Sequence, residues 1–372
     1  MALIPAALPL LKKAGVEVLV EVGAGTGAGI SDSEYRDKDA RIASSRQELF
    51  SAADLVLQVR SYGANPGPGR EDLKWMRPGQ AVIGFWEPLS ALEAVQAAAA
   101  AGVSAFAMEL MPRITRAQSM DALSSMATIA GYKAVLLAAG ELPKMFPMLI
   151  TAAGTLSPAK VFIIGAGVAG LQAIATAKRL GAVVEAYDVR PAVKEQVESL
   201  GAKFLELPLE TAGAEDKGGY AKALDEEFYR RQRELMLKAV TEHDVVISTA
   251  AVPGKKAPLL ITGEMVAAMR PGSVIVDVAA ERGGNCELTR PGETVIENGV
   301  VILGPVNLPS TIPLHASQMY ARNISTFLLH MLKDGKLAPD SQDEIVRETM
   351  LTRHGQVVHP QVLQLIGSPQ EQ

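Results

Sequence analysis

Cysteine is nearly absent from this 372-residue chain, where Cys286 stands alone. One thiol closes no internal disulfide and builds no thiolate metal site, and its scarcity fits a reducing compartment. The five histidines, His243, His315, His330, His354 and His359, show neither H-x-x-x-H nor H-E-x-x-H spacing, so no metal site is expected. There is no G-x-S-x-G elbow, and Cys286 beside Asn285 reads as structural rather than nucleophilic. Basic residues are in deficit, with a formal net charge of −5, which argues against nucleic acid or an anionic membrane as primary partner. Long apolar runs are missing too. No window approaches the ~18 uninterrupted apolar residues of a membrane span, and the Ala-rich stretch from Ala91 to Val103 is broken by Glu93 and Gln96. The opening MALIPAALPLL lacks the cationic start and cleavage site of a secretion signal. No internal repeat and no low-complexity linker occur. The expectation is a soluble, cytoplasmic globular chain, long enough for two domains with full cores.

Against these absences stands one dense feature, residues 160–190, KVFIIGAGVAGLQAIATAKRLGAVVEAYDVR. An apolar run, Val161 to Ile164, feeds Gly165-Ala166-Gly167-Val168-Ala169-Gly170, and an Ala-rich helical pattern continues to Leu180. Gly181 ends that helix, Val183 to Tyr187 reads as a second strand, and Asp188 closes it. Each part has a physical role in a dinucleotide-binding βαβ unit. Gly165 allows the tight turn, Gly167 lets a pyrophosphate approach the backbone, and Gly170 lets helix and strand pack closely. Free N–H groups and the positive end of the helix dipole then face the phosphates. Asp188 lies where a carboxylate accepts hydrogen bonds from an adenosine ribose.

Ahead of this unit, Val16 to Glu21, Leu55 to Val59, Ala81 to Phe85 and Ser104 to Met108 are short β-type runs separated by helical patterns such as Leu89 to Ala101. That alternation predicts α/β structure with a parallel sheet. After it, strands are expected at Val245 to Ser248, Ser273 to Val278 and Val300 to Leu303. Two long helical patterns, Ala117 to Leu142 and Leu314 to Leu332, flank the whole. The expected architecture is two Rossmann-like α/β domains with parallel sheets, linked by two long helices. Residues 1–125 with 325–372 would form the first domain, completed by the C-terminal tail, and 126–324 the dinucleotide-binding domain.

Other segments carry two readings each. In LMPRITRAQSMDALSS, Thr115 and Gln118 fit a capping box, while Gln118, Asp121 and Ser124 recur every three residues and place amide, carboxylate and hydroxyl on one face, with Arg113 and Arg116 close by. That face either caps a helix or holds a nicotinamide and its ribose. Gly218-Gly219-Tyr220-Ala221-Lys222 is a surface connection or a lid with glycine hinges and a covering aromatic. Thr249-Ala250-Ala251-Val252-Pro253-Gly254 and Asp277 to Asn285 follow β-runs, at strand ends where Rossmann sites touch ligand.

Taken in order, the fingerprint with YDVRP, MPRITRAQSMDALSS, GGYAK, ISTAAVPGKKAPLLIT, VDVAAERGGNC and the VVHP tail resemble the NAD(H)-binding domain of proton-translocating NAD(P) transhydrogenases, over nearly the whole chain. RAQSMD and GGYAK are the specific segments. The resemblance implies that the chain binds NAD(H) and that hydride passes directly to or from NADP(H) on a partner subunit. It implies that Arg113, Gln118, Asp121 and Ser124 surround the nicotinamide, with Gln118 nearest the hydride path. Gly165, Gly167, Val168 and Gly170 would take the pyrophosphate, and Asp188, Val189 and Arg190 the adenosine ribose. Gly219 and Tyr220 would close a loop, and Thr249 and Ala250 would line the site. A homodimer, and a complex with membrane and NADP(H)-binding subunits at the cytoplasmic face of the inner membrane, complete the expectation.

The alternative is alanine dehydrogenase, which shares this fold. Its substrate pocket uses a lysine in V-K-V-K-E-P, a histidine in Y-L-H-L and an aspartate before Q-G-G. This chain has Arg60 within Leu57-Gln58-Val59-Arg60, no imidazole in Phe85-Trp86-Glu87-Pro88, and Glu281 at the aspartate position. Without that acid–base pair, amino-acid oxidation lacks its proton relay. A redox-sensing NAD-binding regulator would explain the fingerprint but not the RAQSMD face. One departure concerns the start: the family opens with a short strand and a basic segment before A-L-x-P, whereas here Met1 directly precedes Ala2-Leu3-Ile4-Pro5. Either the start is set late or the first domain lacks an edge strand.

Overall fold

Short β-branched runs closed by glycine turns lay the chain out as two α/β units, Met1–Met126 with Ile312–Gln372, and Ala127–Thr311. The computed structural model describes residues 1–207, 226–251, 254 and 256–367. In the first unit β1 (Leu19–Glu21) runs parallel to β2 (Arg41–Ala43). A separate parallel sheet follows the order β3 (Leu55–Arg60), β4 (Ala81–Phe85), β5 (Ser104–Ala107). The single sheet expected from the sequence is thus two pieces. β2 escaped notice because three residues are too few to show a period-2 alternation. The core gathers Ile83, Phe106, Met108, Tyr320, Ile324 and Phe327. The tail joins the same unit through Leu351 N–H to the Ala105 carbonyl at 2.8 Å and Thr352 Oγ1 to the Val103 carbonyl at 2.7 Å.

The pattern from Ala117 to Leu142 does not form one helix. Thr115–Met120 winds as a 3₁₀ turn, Asp121 is extended (φ −73°, ψ 90°), and the α-helix runs over Ala122–Glu141. By length and composition this is the one helix among the described residues long and apolar enough to cross a membrane. Its Ala130, Ala134, Val135 and Ala138 are instead buried in the core of the second unit. The other long helix, Pro313–His330, follows the boundary at Thr311/Ile312 and belongs wholly to the first unit, because Tyr320, Ala321, Ile324, Phe327 and Leu328 give it one buried stripe.

The second unit begins with a hairpin, β6 (Leu149–Thr151) against β7 (Gly154–Leu156). Its sheet comprises β8 (Lys160–Ile164), β9 (Val183–Tyr187), β10 (Lys203–Phe204), β11 (Val245–Ser248), β12 (Val274–Asp277), β13 (Thr294–Glu297) and β14 (Val300–Leu303). The spatial order is β10-β9-β8-β11-β12-β14-β13, with only β13 antiparallel. Chain order reverses between β8 and β11, and open α/β sheets bind ligands outside the strand ends at such a switch point. β11 and β12 are buried at every position, as strands covered on both faces must be. β13 went unread although Asn298-Gly299, both at positive φ, make the two-residue turn that pairs Glu297 with Val300.

Candidate dinucleotide-binding site

The glycines act where the backbone demands them. Gly165 has φ +93°, and its N–H donates to the Tyr187 carbonyl at 2.8 Å, tying the turn to the end of β9. A Cβ on Gly170 would run into the Gly165 carbonyl, so helix and turn meet backbone to backbone. Gly167 precedes the helix Val168–Arg179, whose amino end has no side-chain cap. A Cβ at Gly167 would meet nothing closer than Arg190 Nη2 at 3.9 Å, which leaves the helix end open to a phosphate-bearing ligand. Across the switch point Thr249 pins the turn: its N–H reaches the Ile164 carbonyl at 2.8 Å and its Oγ1 the Gly165 carbonyl at 3.0 Å. The Ala250 carbonyl accepts from Asn285 Nδ2 at 2.9 Å. The residues present therefore fit a dinucleotide diphosphate.

Asp188, nearly buried behind β9, accepts from four donors. Oδ2 takes the Ala166 N–H at 2.7 Å and Arg190 Nη2 at 2.8 Å, while Oδ1 takes the Arg190 N–H and Nε, each at 2.9 Å. Val189 is half-buried beside them.

Asp277 at the end of β12 is fully buried and equally saturated. Its oxygens accept from Ser248 Oγ (3.2 Å), Thr289 Oγ1 (2.8 Å) and the N–H groups of Ala279 (3.0 Å), Asn285 (2.7 Å) and Cys286 (2.9 Å). Gly283 (φ +93°) and Gly284 (φ +76°) bend the loop around it. Burial pushes the Cys286 thiol up to about 11, so it stays protonated and structural.

Arg113, Gln118, Asp121 and Ser124 lie in the first unit, while the fingerprint lies in the second. The Thr115–Gln118 capping box does not form; the 3₁₀ turn has no side-chain cap. The cap is Asp121, whose carboxylate accepts the Ser124 N–H at 2.8 Å and Ser124 Oγ at 2.6 Å at the start of Ala122–Glu141. Arg113 and Gln118 are exposed. Arg116 is drawn away to Asp343 at 2.6 Å. Asn323 Nδ2 holds the segment through the Ser119 carbonyl at 2.9 Å. Gly219, Tyr220, Val252 and Pro253 lie outside the described residues.

Sequence reasoning passed over Gly131. A Cβ there would strike the Ala169 carbonyl, so only glycine lets the long helix touch the first turn of the fingerprint helix. An isolated glycine in an otherwise Ala-rich helix was the available signal.

Family models for the two halves of one architecture match in sequence. The alanine dehydrogenase/PNT N-terminal domain matches residues 1–130, and the alanine dehydrogenase/PNT C-terminal domain matches residues 134–360. The chain belongs to the alanine dehydrogenase/PNT family. Within it, the chain is similar to the first portion of the NAD(P) transhydrogenase subunit alpha of Rhodospirillum rubrum, 48% identical over 97% of this chain and 94% of that one. It is also similar to the crystal structure of transhydrogenase from Sinorhizobium meliloti, with TM-score 0.85 and 46% identity, covering 96% of this chain and 95% of that one. An L-alanine dehydrogenase structure is more distant in sequence, at 26% identity with TM-score 0.80 over 98% of this chain and 94% of that one. Three positions that the sequence sets against an amino-acid dehydrogenase pocket lie among the described residues. Arg60 ends β3 exposed, and Glu87 is exposed at φ +49° with its N–H on Glu109 Oε1 at 2.6 Å. Glu281 accepts the Asn307 N–H at 3.2 Å.

Proposed function

We propose that this chain is the NAD(H)-binding subunit of a proton-translocating NAD(P) transhydrogenase, exchanging hydride directly with NADP(H) held by a partner subunit. The observation that carries this reading is the uncapped helix end behind Gly165–Gly170 at the switch point between β8 and β11. The first unit, meanwhile, has no imidazole or lysine where an amino-acid dehydrogenase keeps its proton relay. NAD(H), when bound, supplies the hydride chemistry itself. The chain's own residues bind and orient. The N–H groups following Gly167 take the diphosphate, with Gly165, Val168 and Gly170 shaping the approach. Asp188, Val189 and Arg190 receive the adenosine ribose, and Thr249 and Ala250 back the turn. Arg113, Gln118, Asp121 and Ser124 serve the nicotinamide end. There the mutual bonds of Asp121 and Ser124 present a fixed carboxylate and hydroxyl, and the Gln118 amide orients the ring.

The partners in this reading are a membrane subunit, an NADP(H)-binding subunit and a second copy of the chain, at the cytoplasmic face of the inner membrane. The second copy would cover Met148, Ile150 and Leu156, all exposed on or next to the β6–β7 hairpin, Ile150 at 78%. A two-stranded hairpin is marginal alone in water, and apolar residues gathered on it need cover. Sedimentation velocity of the purified chain reads this directly; a monomer at micromolar concentration removes the dimer from the proposal. The decisive assay adds an NADP(H)-binding transhydrogenase domain to the chain and follows hydride exchange between the two cofactors. Exchange with the partner and none without it is expected, together with no reduction of pyruvate and ammonia. Robust alanine turnover by the chain alone overturns the reading.

A further inference from the structure

The turn Thr115–Met120 carries little stiffness of its own. It is a 3₁₀ turn without a side-chain cap, and such turns hold poorer hydrogen bonds than an α-helix. Its closing bond, from the Asp121 N–H to the Gln118 carbonyl, is long at 3.3 Å. Ala117 and Met120 are buried beneath it. Apolar burial is non-directional, so it seats the turn without fixing its rotation about the buried face. Two directional bonds reach the turn from the C-terminal part of the same unit. Arg116 Nη1 donates to Asp343 Oδ2 at 2.6 Å, but that arginine side chain is 51% exposed, and water weakens such a pair. Asn323 Nδ2 donates to the Ser119 carbonyl at 2.9 Å from the helix Pro313–His330, and Asn323 is only 6% exposed. The Oδ1 of the same amide is buried with no partner among the described residues. Asn323 therefore carries a desolvation cost that an apolar side chain would avoid, and it does so beside the carbonyl that adjoins Gln118.

We propose that Asn323 is a positioning residue for hydride transfer, fixing the rotation of the Thr115–Met120 turn so that the Gln118 amide meets the nicotinamide in one orientation. The inference rests on the hydride-exchange reading above and deepens it. The bond orients the peptide unit between Ser119 and Met120, immediately beyond Gln118. Gln118 is exposed, so its direction follows the backbone that carries it rather than packing around its side chain. A displacement of about 1 Å between reacting groups costs about a hundredfold in rate. The contacts that hold the diphosphate and the adenosine end lie in the other unit and do not depend on this bond. Asn323 therefore acts on the rate of transfer and leaves NADH affinity alone, which a direct ligand contact would not do.

The test compares the full-length wild type, Asn323→Leu and Asn323→Ser, each mixed with an NADP(H)-binding transhydrogenase domain. Single-turnover hydride transfer, equilibrium NADH titration and a thermal melt are read on each protein. Leucine keeps the branched shape, lacks the donor and removes the unpartnered Oδ1. Its melting midpoint should stay within about 3 °C of wild type and its NADH dissociation constant within about threefold. Hydride transfer should slow by about tenfold or more. Transfer within about twofold of wild type overturns the inference. Slow transfer with a matching loss of NADH affinity, or with a lower midpoint, makes Asn323 a structural residue and overturns it as well. Should the leucine variant fail to fold, Asn323→Ser decides by the same split, because its hydroxyl is too short to span to the carbonyl; failure of both to fold overturns the inference. Wild type that exchanges hydride, beside variants that are equally fast, sinks this inference alone. Wild type that exchanges none with the partner domain sinks the hydride-exchange reading and the inference with it.

Discussion

Behind β9 and β12 in the second unit, aspartate oxygens are used to capacity: Asp188 accepts from Ala166 and Arg190, and Asp277 from two hydroxyls and three backbone N–H groups. Only Asn285 Oδ1, in the loop around Asp277, is left there without a partner among the described residues, whereas behind β3, β4 and β5 in the first unit three such atoms gather. Ser61 Oγ, Trp86 Nε1 and Glu109 Oε2, each within two residues of a strand end, are buried with no hydrogen-bond partner among the described residues. In both sheets the strands concerned run parallel and end in polar residues. The difference lies in the loops. Gly283 and Gly284, at positive φ, turn backbone N–H groups onto Asp277, whereas Glu109 receives the Trp86 and Glu87 N–H groups on a single oxygen, each at 2.6 Å. Burial outweighs those two bonds and pushes the Glu109 carboxyl up to about 7. A parallel sheet brings polar groups to one edge; loop conformation decides whether they are satisfied.

Three substitutions probe this contrast. The largest effect is expected from Asp277→Ala, which strands three backbone N–H groups and two hydroxyls inside the second unit. Loss of about 3–5 kcal/mol in guanidinium unfolding should follow, and a loss below about 1 kcal/mol would mean that the network is dispensable. Next comes Glu109→Gln, whose effect depends on pH. With its folded pKa raised to about 7 from 4.5, the acid carries no ionisation penalty below pH 4.5. The penalty grows as pH rises through this window and is complete above pH 7. The variant should therefore gain on wild type by up to about 3 kcal/mol between pH 4.5 and pH 8. Parallel stability curves for the two proteins would show that Glu109 is not held neutral. The smallest effect belongs to Ser61→Ala. Removing a buried hydroxyl with no partner among the described residues should change stability by less than about 1 kcal/mol, toward stabilisation; a clear loss would reveal a partner at that strand end.

The βαβ unit around Gly165–Gly170 was legible nearly to the residue. β8 and β9 span Lys160–Ile164 and Val183–Tyr187, and Gly165 and Gly170 meet the carbonyl and turn that their spacing demands. Less legible was the RAQSMD segment. Thr115 and Gln118 have the spacing of a capping box, yet the segment winds as a 3₁₀ turn and Asp121 caps the following helix instead. Spacing alone does not separate those geometries, because both bring residues three apart together. β10 and the β6–β7 hairpin were missed for the same reason as β2: two or three residues carry too little pattern.

The sequence by itself determined the parts whose physics is local. Strand alternation, helix period and the glycines of a tight turn act over a few residues, so Gly165, Gly167, Gly170 and Asp188 could be read in order and assigned to one unit. Only the tertiary structure decided what those groups are doing to one another. Arg190 is two residues from Asp188 in the chain, but its side chain faces the carboxylate because the end of β9 and the Ala166 N–H orient that carboxylate. Gly131 matters only because Ala169 comes to lie against it. Glu109 becomes a near-neutral acid only because the first unit's core closes over it. Those outcomes depend on which distant groups share a dry, low-dielectric interior, and sequence spacing carries no record of that.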